Sequence, residues 1–139
     1  MVSAGGATYT ASMSSSIRVS KHTFVYDCAD PAALAEFYAS LLGWSISPDS
    51  DDQWVDLDPP EGSTFTLSFQ RVDGYVAPTW PDGPVPQQAH LDFNVPSIEE
   101  AAKIAEAAGA TRHAVQPSET GSFAVFADPA GHLFCLCAE

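Results

Sequence analysis

Two kinds of hydrophobic periodicity alternate along the chain, and the order occurs twice. Residues 21–28 gather Phe24, Val25, Tyr26 and Cys28 into a short apolar run that predicts a strand. Asp30 and Pro31 then supply a cap and a first-turn residue. Leu34, Phe37, Tyr38, Leu41 and Leu42 follow at three- and four-residue steps up to Gly43, which predicts a helix with one buried face. Three short strands are expected next, at 44–47, 53–57 and 64–72. In the last of these Phe65, Leu67 and Phe69 alternate with Thr66, Ser68 and Gln70, and the separators PDSDD and DPPEGS are turn-forming.

The order restarts beyond residue 87. Residues 89–95 predict a strand, and Ser97 with Glu100 three positions later forms a capping box. Ile98, Ala101, Ala102, Ile104, Ala105 and Ala108 give a second amphipathic helix that Gly109 closes. Strands at 111–115, 123–126 and 133–137 complete the pattern, with a turn at 128–131. Gly43 and Gly109 are 66 residues apart (109 − 43), and that offset overlays the two helices. The expectation is an α+β fold of two β-α-β-β-β units, 21–72 and 88–138, within a single domain over 17–139. Residues 73–87, carrying Pro78, Pro81, Pro84 and Pro86, are too long and proline-rich for a hairpin and are expected to be a lid or inter-unit linker. Residues 1–16 are small and polar and read as a flexible leader, with Met13 an alternative start.

Composition narrows the function. Hydrophobic residues make up 45% of the 139 positions and charged ones 17%, enough apolar material for a core. Eighteen acidic side chains against five scattered basic ones give a formal charge of −13, which sets aside nucleic acid and anionic membranes as partners. The excess serves solubility and leaves attraction of cationic ligands open. Cys28, Cys135 and Cys137 are an odd count without disulfide spacing and read as reduced thiols in a cytoplasmic protein. No stretch reaches the roughly 20 apolar residues of a membrane-spanning helix. There is no GxGxxG, GxxxxGK[ST], GxSxG or HExxH. Asp49, Asp51, Asp52, Asp56 and Asp58 lack calcium-loop spacing and read as a solvated acidic turn.

The runs DPAALAEFYASLLGW, QAHLDFNV, AAGAT and DPAGHLFCL, in that order over residues 21–137, resemble the vicinal-oxygen-chelate superfamily of glyoxalases, bleomycin-resistance proteins and extradiol dioxygenases, its glyoxalase-like branch above all. The resemblance implies a concave mixed sheet with helices outside, a small-molecule cleft and a homodimer. It also implies a divalent metal on four His, Gln or Glu side chains, one from the first and one from the last strand of each unit. His90 matches the second unit's first position. Cys135 stands where the last strand's glutamate is expected, seven residues after Asp128. In the first strand the matching position is Thr23; His22 is its neighbour and points to the other face unless a bulge intervenes. The fourth strand offers Ser68 or Gln70.

These matches imply a degenerate metal site and a cleft for a small, partly aromatic or apolar ligand, lined by His90, Cys135, Trp54, Phe69, Gln70 and Trp80. Sequestration or an uncharacterised conversion would follow, with no catalytic residue assigned and no cofactor favoured. The alternative is a lyase, isomerase or dioxygenase using Zn, Ni, Mn or Fe on His90, His22 and Gln70. A zinc variant would use His90, Cys135 and Cys137. A third reading is a dimeric interaction module without catalysis. Trp44 is expected in the core, Trp80 as a lid or dimer contact, and His113 and His132 facing solvent.

Overall fold

The computed structural model describes residues 15–139, so the leader expected at 1–16 falls almost wholly outside the described residues. The first unit runs β1 (His22–Cys28), α1 (Pro31–Leu42), β2 (Ser45–Ile46), β3 (Trp54–Asp58) and β4 (Phe65–Arg71). The second repeats it as β5 (Leu91–Val95), α2 (Ile98–Ala108), β6 (Thr111–Arg112), β7 (Phe123–Ala127) and β8 (Leu133–Ala138). Each unit forms its own four-stranded mixed sheet, in the orders β1-β4-β3-β2 and β5-β8-β7-β6. In both, the first strand pairs parallel with the last and the remaining pairs are antiparallel. This is the α+β architecture of two β-α-β-β-β units expected from the repeat.

The helix ends follow from the residues that predicted them. The Asp30 carboxylate accepts the Ala33 N–H at 3.2 Å, Pro31 opens α1, and Gly43 closes it in the left-handed conformation at φ 70°. Ser97 Oγ accepts the Glu100 N–H at 3.2 Å at the start of α2.

Strand alternation sorts the side chains into two faces. Tyr26, Cys28, Val55, Leu57, Leu67, Phe69, Ala124, Phe126, Phe134 and Leu136 are buried in one core with Leu34, Phe37 and Tyr38 of α1 and Ala102 and Ala105 of α2. Tyr38 stacks on Tyr26 and on Phe69 with ring centroids 5.6 Å apart in each case. Trp44 packs against this core as expected, its ring 6.3 Å from Phe65. Phe37 reaches Phe134 of the other unit at 6.1 Å. A second seam between units is the Tyr38 hydroxyl, which donates to Asp128 Oδ2 at 2.6 Å.

The linker lies against the second unit. Tyr75 donates to the Ala130 carbonyl at 2.9 Å, and Trp80 packs with Phe123, Val125, Leu133 and Cys135. Its own bend is held by Thr79, whose backbone N–H donates to the Val85 carbonyl at 2.6 Å and whose Oγ1 accepts the Val85 N–H at 3.0 Å.

Two histidines depart from the solvent-facing expectation. His132 is half-buried at the inter-unit seam: its ring sits 4.5 Å from Tyr26, and its Nε2 lies 2.7 Å from the Asp27 carbonyl and 3.2 Å from the Tyr75 hydroxyl. His113 is half-buried with its ring edge-on to Trp80 at 4.9 Å. In both places a large aromatic, Tyr26 across the inter-unit seam and Trp80 of the linker, packs against the imidazole in place of water. Among the described residues, no helix is long and apolar enough to cross a membrane.

Candidate functional site

The faces turned away from the helices carry the chemistry. In the second sheet this face presents Asp92 of β5, Leu133, Cys135 and Cys137 of β8, and Phe123 and Val125 of β7, with Asp92 paired to Cys135. His90 precedes β5 by one residue and shares the side of Asp92, because positions two apart on a strand point the same way. The ligand atoms of His90, Asp92 and Cys135 all lie within 4.8 Å of one another, and His90 Nε2 is 3.2 Å from Asp92 Oδ1. His90 and Asp92 are solvent-facing, and Cys135 is 9% exposed.

A cavity of about 230 Å³ opens beside His90 and Cys135, bounded also by Trp80, Gln87, Phe123 and Val125 among others. Gln87 Oε1 is buried and has no hydrogen-bond partner. Burial, then the neighbouring Asp92 carboxylate, pushes the Cys135 thiol up to about 12. The same two causes raise Cys137.

The register shows what the first unit offers at equivalent places. Thr23 lies seven residues before the helix cap Asp30, as His90 does before Ser97. Val25 pairs with Ser68 as Asp92 pairs with Cys135, and Asp27 pairs with Gln70 as Asn94 pairs with Cys137. Thr23, Val25 and Ser68 thus stand where the second unit has His90, Asp92 and Cys135. Ser68 is fully buried and donates its hydroxyl to Asp56, which also accepts from Trp54 Nε1 at 2.7 Å. Trp54 and Val25, each 37% exposed, leave this face open and partly apolar.

Five of the six pocket residues expected from sequence lie on or against the inward faces, in two separate groups, and the sixth lies in neither. His90, Cys135 and Trp80 border the second unit's cavity, which draws no side chain from residues 15–72. Trp54 lies on the first unit's open face beside Gln70, its partner in the β3–β4 register. Phe69 is a correction: it is fully buried on the opposite side, 6.2 Å from Tyr26, because it shares the parity of Leu67 rather than of Gln70.

The metal set of His90, His22 and Gln70 is also a correction. β1 pairs with β4 without a bulge, so His22 sits opposite Phe65 at one end and Gln70 opposite Asp27 near the other, on opposite faces. Nor do the four family positions supply four donors, since Thr23 and the engaged Ser68 are hydroxyls and not the N or carboxylate ligands that divalent ions require. The shared four-donor metal of the family therefore does not fit this chain, and no chemical step runs through it. Sequence reasoning missed Asp92 and Gln87. The spacing of His90 and Asp92 on one strand was the available signal for the first; nothing local marks the second.

Comparison with known proteins agrees with this architecture. A family model described as a glyoxalase-like domain matches residues 23–137. The chain belongs to that family. Solved structures share the fold of this glyoxalase-like protein at low identity. A glyoxalase/bleomycin resistance protein/dioxygenase family enzyme from Burkholderia phytofirmans PsJN is 19% identical with a TM-score of 0.60, over 84% of this chain and 95% of that one. The oxidase ChaP-H2 is 21% identical with a TM-score of 0.58, over 88% and 95%. The bleomycin-binding protein from bleomycin-producing Streptomyces verticillus, complexed with copper(II)-bleomycin, is 16% identical with a TM-score of 0.58, over 89% and 99%. No curated protein matches the chain.

Proposed function

We propose that this glyoxalase-like protein binds and sequesters a small, partly aromatic molecule of neutral or positive charge on the inner faces of its sheets. The observation that carries the reading is the substitution of Thr23 and Ser68 for metal donors on a face bordered by exposed Trp54 and Val25. Such a surface offers apolar area and an indole for stacking, with Gln70 as a polar anchor. The formal charge of −13 favours cationic ligands over anionic ones. The bleomycin-binding structure is a fold-level precedent for this use.

The working unit is a homodimer in which a second copy brings its inner faces against the first. Support comes from the separation of the two faces within one chain: no residue of the first unit lines the cavity beside His90, while Trp54 stays open. The three free cysteines fit a cytoplasmic setting.

The test is a tryptophan-fluorescence titration of the full chain with metal-free bleomycin and a panel of aromatic amines. Saturable quenching that Trp54→Ala or Trp80→Ala abolishes supports the reading. No saturable binding by any compound, or binding indifferent to both substitutions, overturns it.

A further inference from the structure

We infer that His90, Asp92 and Cys135 form a zinc site contained within the second sheet of a single chain. It differs from the four-donor site that the family shares between units: all three donors come from one unit, and one is a thiolate. The geometry is close to what the ion needs. Zinc bonds of about 2.0–2.3 Å to N, O and S place tetrahedral ligand atoms roughly 3.3–3.7 Å apart. His90 Nε2 and Asp92 Oδ1 are already 3.2 Å apart, and the farthest pair in the triad is within 4.8 Å, a gap that small side-chain rotations close. Cys135 is held in the interior of β8 and Asp92 directly across from it in β5, so the backbone presets two of the three donors.

A second observation points to an occupant. Gln87 lines the same cavity, and its Oε1 is buried and without a donor. A buried acceptor without a partner is costly, and rotation of Gln87 towards a water on the ion would give it the O–H it lacks. Charge closes as well. On binding, the Cys135 thiol gives its proton to solvent, and one thiolate and one carboxylate balance the two positive charges of the ion. A mixed imidazole, carboxylate and thiolate set selects zinc over magnesium, calcium or manganese. The first unit is the internal control: Thr23, Val25 and Ser68 cannot ligate, so stoichiometry is one ion per chain.

The test uses chelator-stripped full-length protein titrated with cobalt(II) in the absence of any organic ligand, so its failure and that of the sequestration reading are separable. The expected result is a near-ultraviolet thiolate-to-cobalt band saturating at one cobalt per chain and displaced by one zinc. Cys135→Ser abolishes the band. His90→Ala and Asp92→Asn, both at exposed positions, weaken zinc by about tenfold or more, judged against the 10–100-fold cost of losing even an outer-shell partner. Cys137→Ser leaves the band intact. Absence of the band in the parent, its survival in Cys135→Ser, or its loss in Cys137→Ser overturns the assignment. Should Cys135→Ser fail to fold, unchanged zinc affinity in both exposed variants overturns it equally.

Discussion

The Tyr38 hydroxyl donates to Asp128 Oδ2 across 2.6 Å, joining the first unit's helix to the turn before the second unit's last strand. Asp128 is 4% exposed, and its other oxygen accepts the Ala130 and His132 N–H groups at 2.9 and 3.0 Å. Tyr38→Phe removes the bond on Oδ2 that crosses between units. The expected loss is about 2 kcal/mol of unfolding free energy, the usual cost of stripping a partner from a buried charged group. Urea denaturation measures it; a loss below about 0.5 kcal/mol would mean the seam is held by packing alone.

Burial holds the Asp128 carboxyl above its ordinary range, with the Tyr38 bond and nearby His132 opposing. A carboxyl with a raised folded pKa binds its proton more readily in the folded state. Its contribution is therefore fully present below about pH 4, the ordinary carboxylate value, and declines as pH rises towards the folded value. Asp128→Asn removes this term. The parent-minus-variant difference in unfolding free energy should fall across that window and then level off; a difference that rises with pH contradicts the assignment.

Gly131 is the contact point between turn and linker. At φ 89° its absent Cβ would lie 2.7 Å from Ala77 Cβ, whereas Gly43, at φ 70°, has nothing within 4 Å. Both alanine variants incur left-handed strain of about 1–3 kcal/mol. Only Gly131→Ala should also lift the linker, seen as faster proteolysis within residues 73–87. Equal cleavage in the two variants would show that the linker does not depend on this contact.

In zinc-free protein the Cys135 thiol, pushed up to about 12, is almost entirely protonated at pH 8. Alkylation there should be slow, and Asp92→Asn should speed it by lowering the pKa. Peptide mass spectrometry after timed iodoacetamide exposure reads both. Fast labelling of the parent would mean that the sulfur is not held protonated by burial and by Asp92.

Val25→Glu places a charge on the inner face of β1, the edge strand of the first sheet, where it costs the monomer little because Val25 is already 37% exposed. If a second copy covers that face, light scattering should show dimer for the parent and monomer for the variant. A monomeric parent overturns the dimer.

Periodicity made the two units legible because helix and strand repeats differ and both helices carry their own caps. β6 is the instructive shortfall: a strand is expected at 111–115, but the ladder with β7 ends at Arg112, with one last backbone bond from the His113 N–H to the Val125 carbonyl at 2.9 Å. Gln116 takes over with its side chain, its Nε2 donating to the Val125 carbonyl at 2.8 Å and its Oε1 accepting the Val125 N–H at 2.9 Å. An amide imitating a strand leaves no periodic trace. For the site, His90 and Cys135 were readable from the resemblance. Phe69 and Gln70 could not both face one pocket, since adjacent strand residues point apart. Gln87 and the burial of His132 depend on how the linker folds back, which a local pattern does not encode.

The linker leaves the first unit and settles over the second with Tyr75 and Trp80. The same segment also borders the first unit, where Val76, Pro78, Val85 and Pro86 share a cavity of about 310 Å³ with Phe24, Val25 and Asp27 of β1. A tether that meets the two sheets differently leaves the copies of one unit in different surroundings: His90 and Cys135 lie beside Trp80, while Thr23, Val25 and Ser68 stand at the matching places of the other sheet.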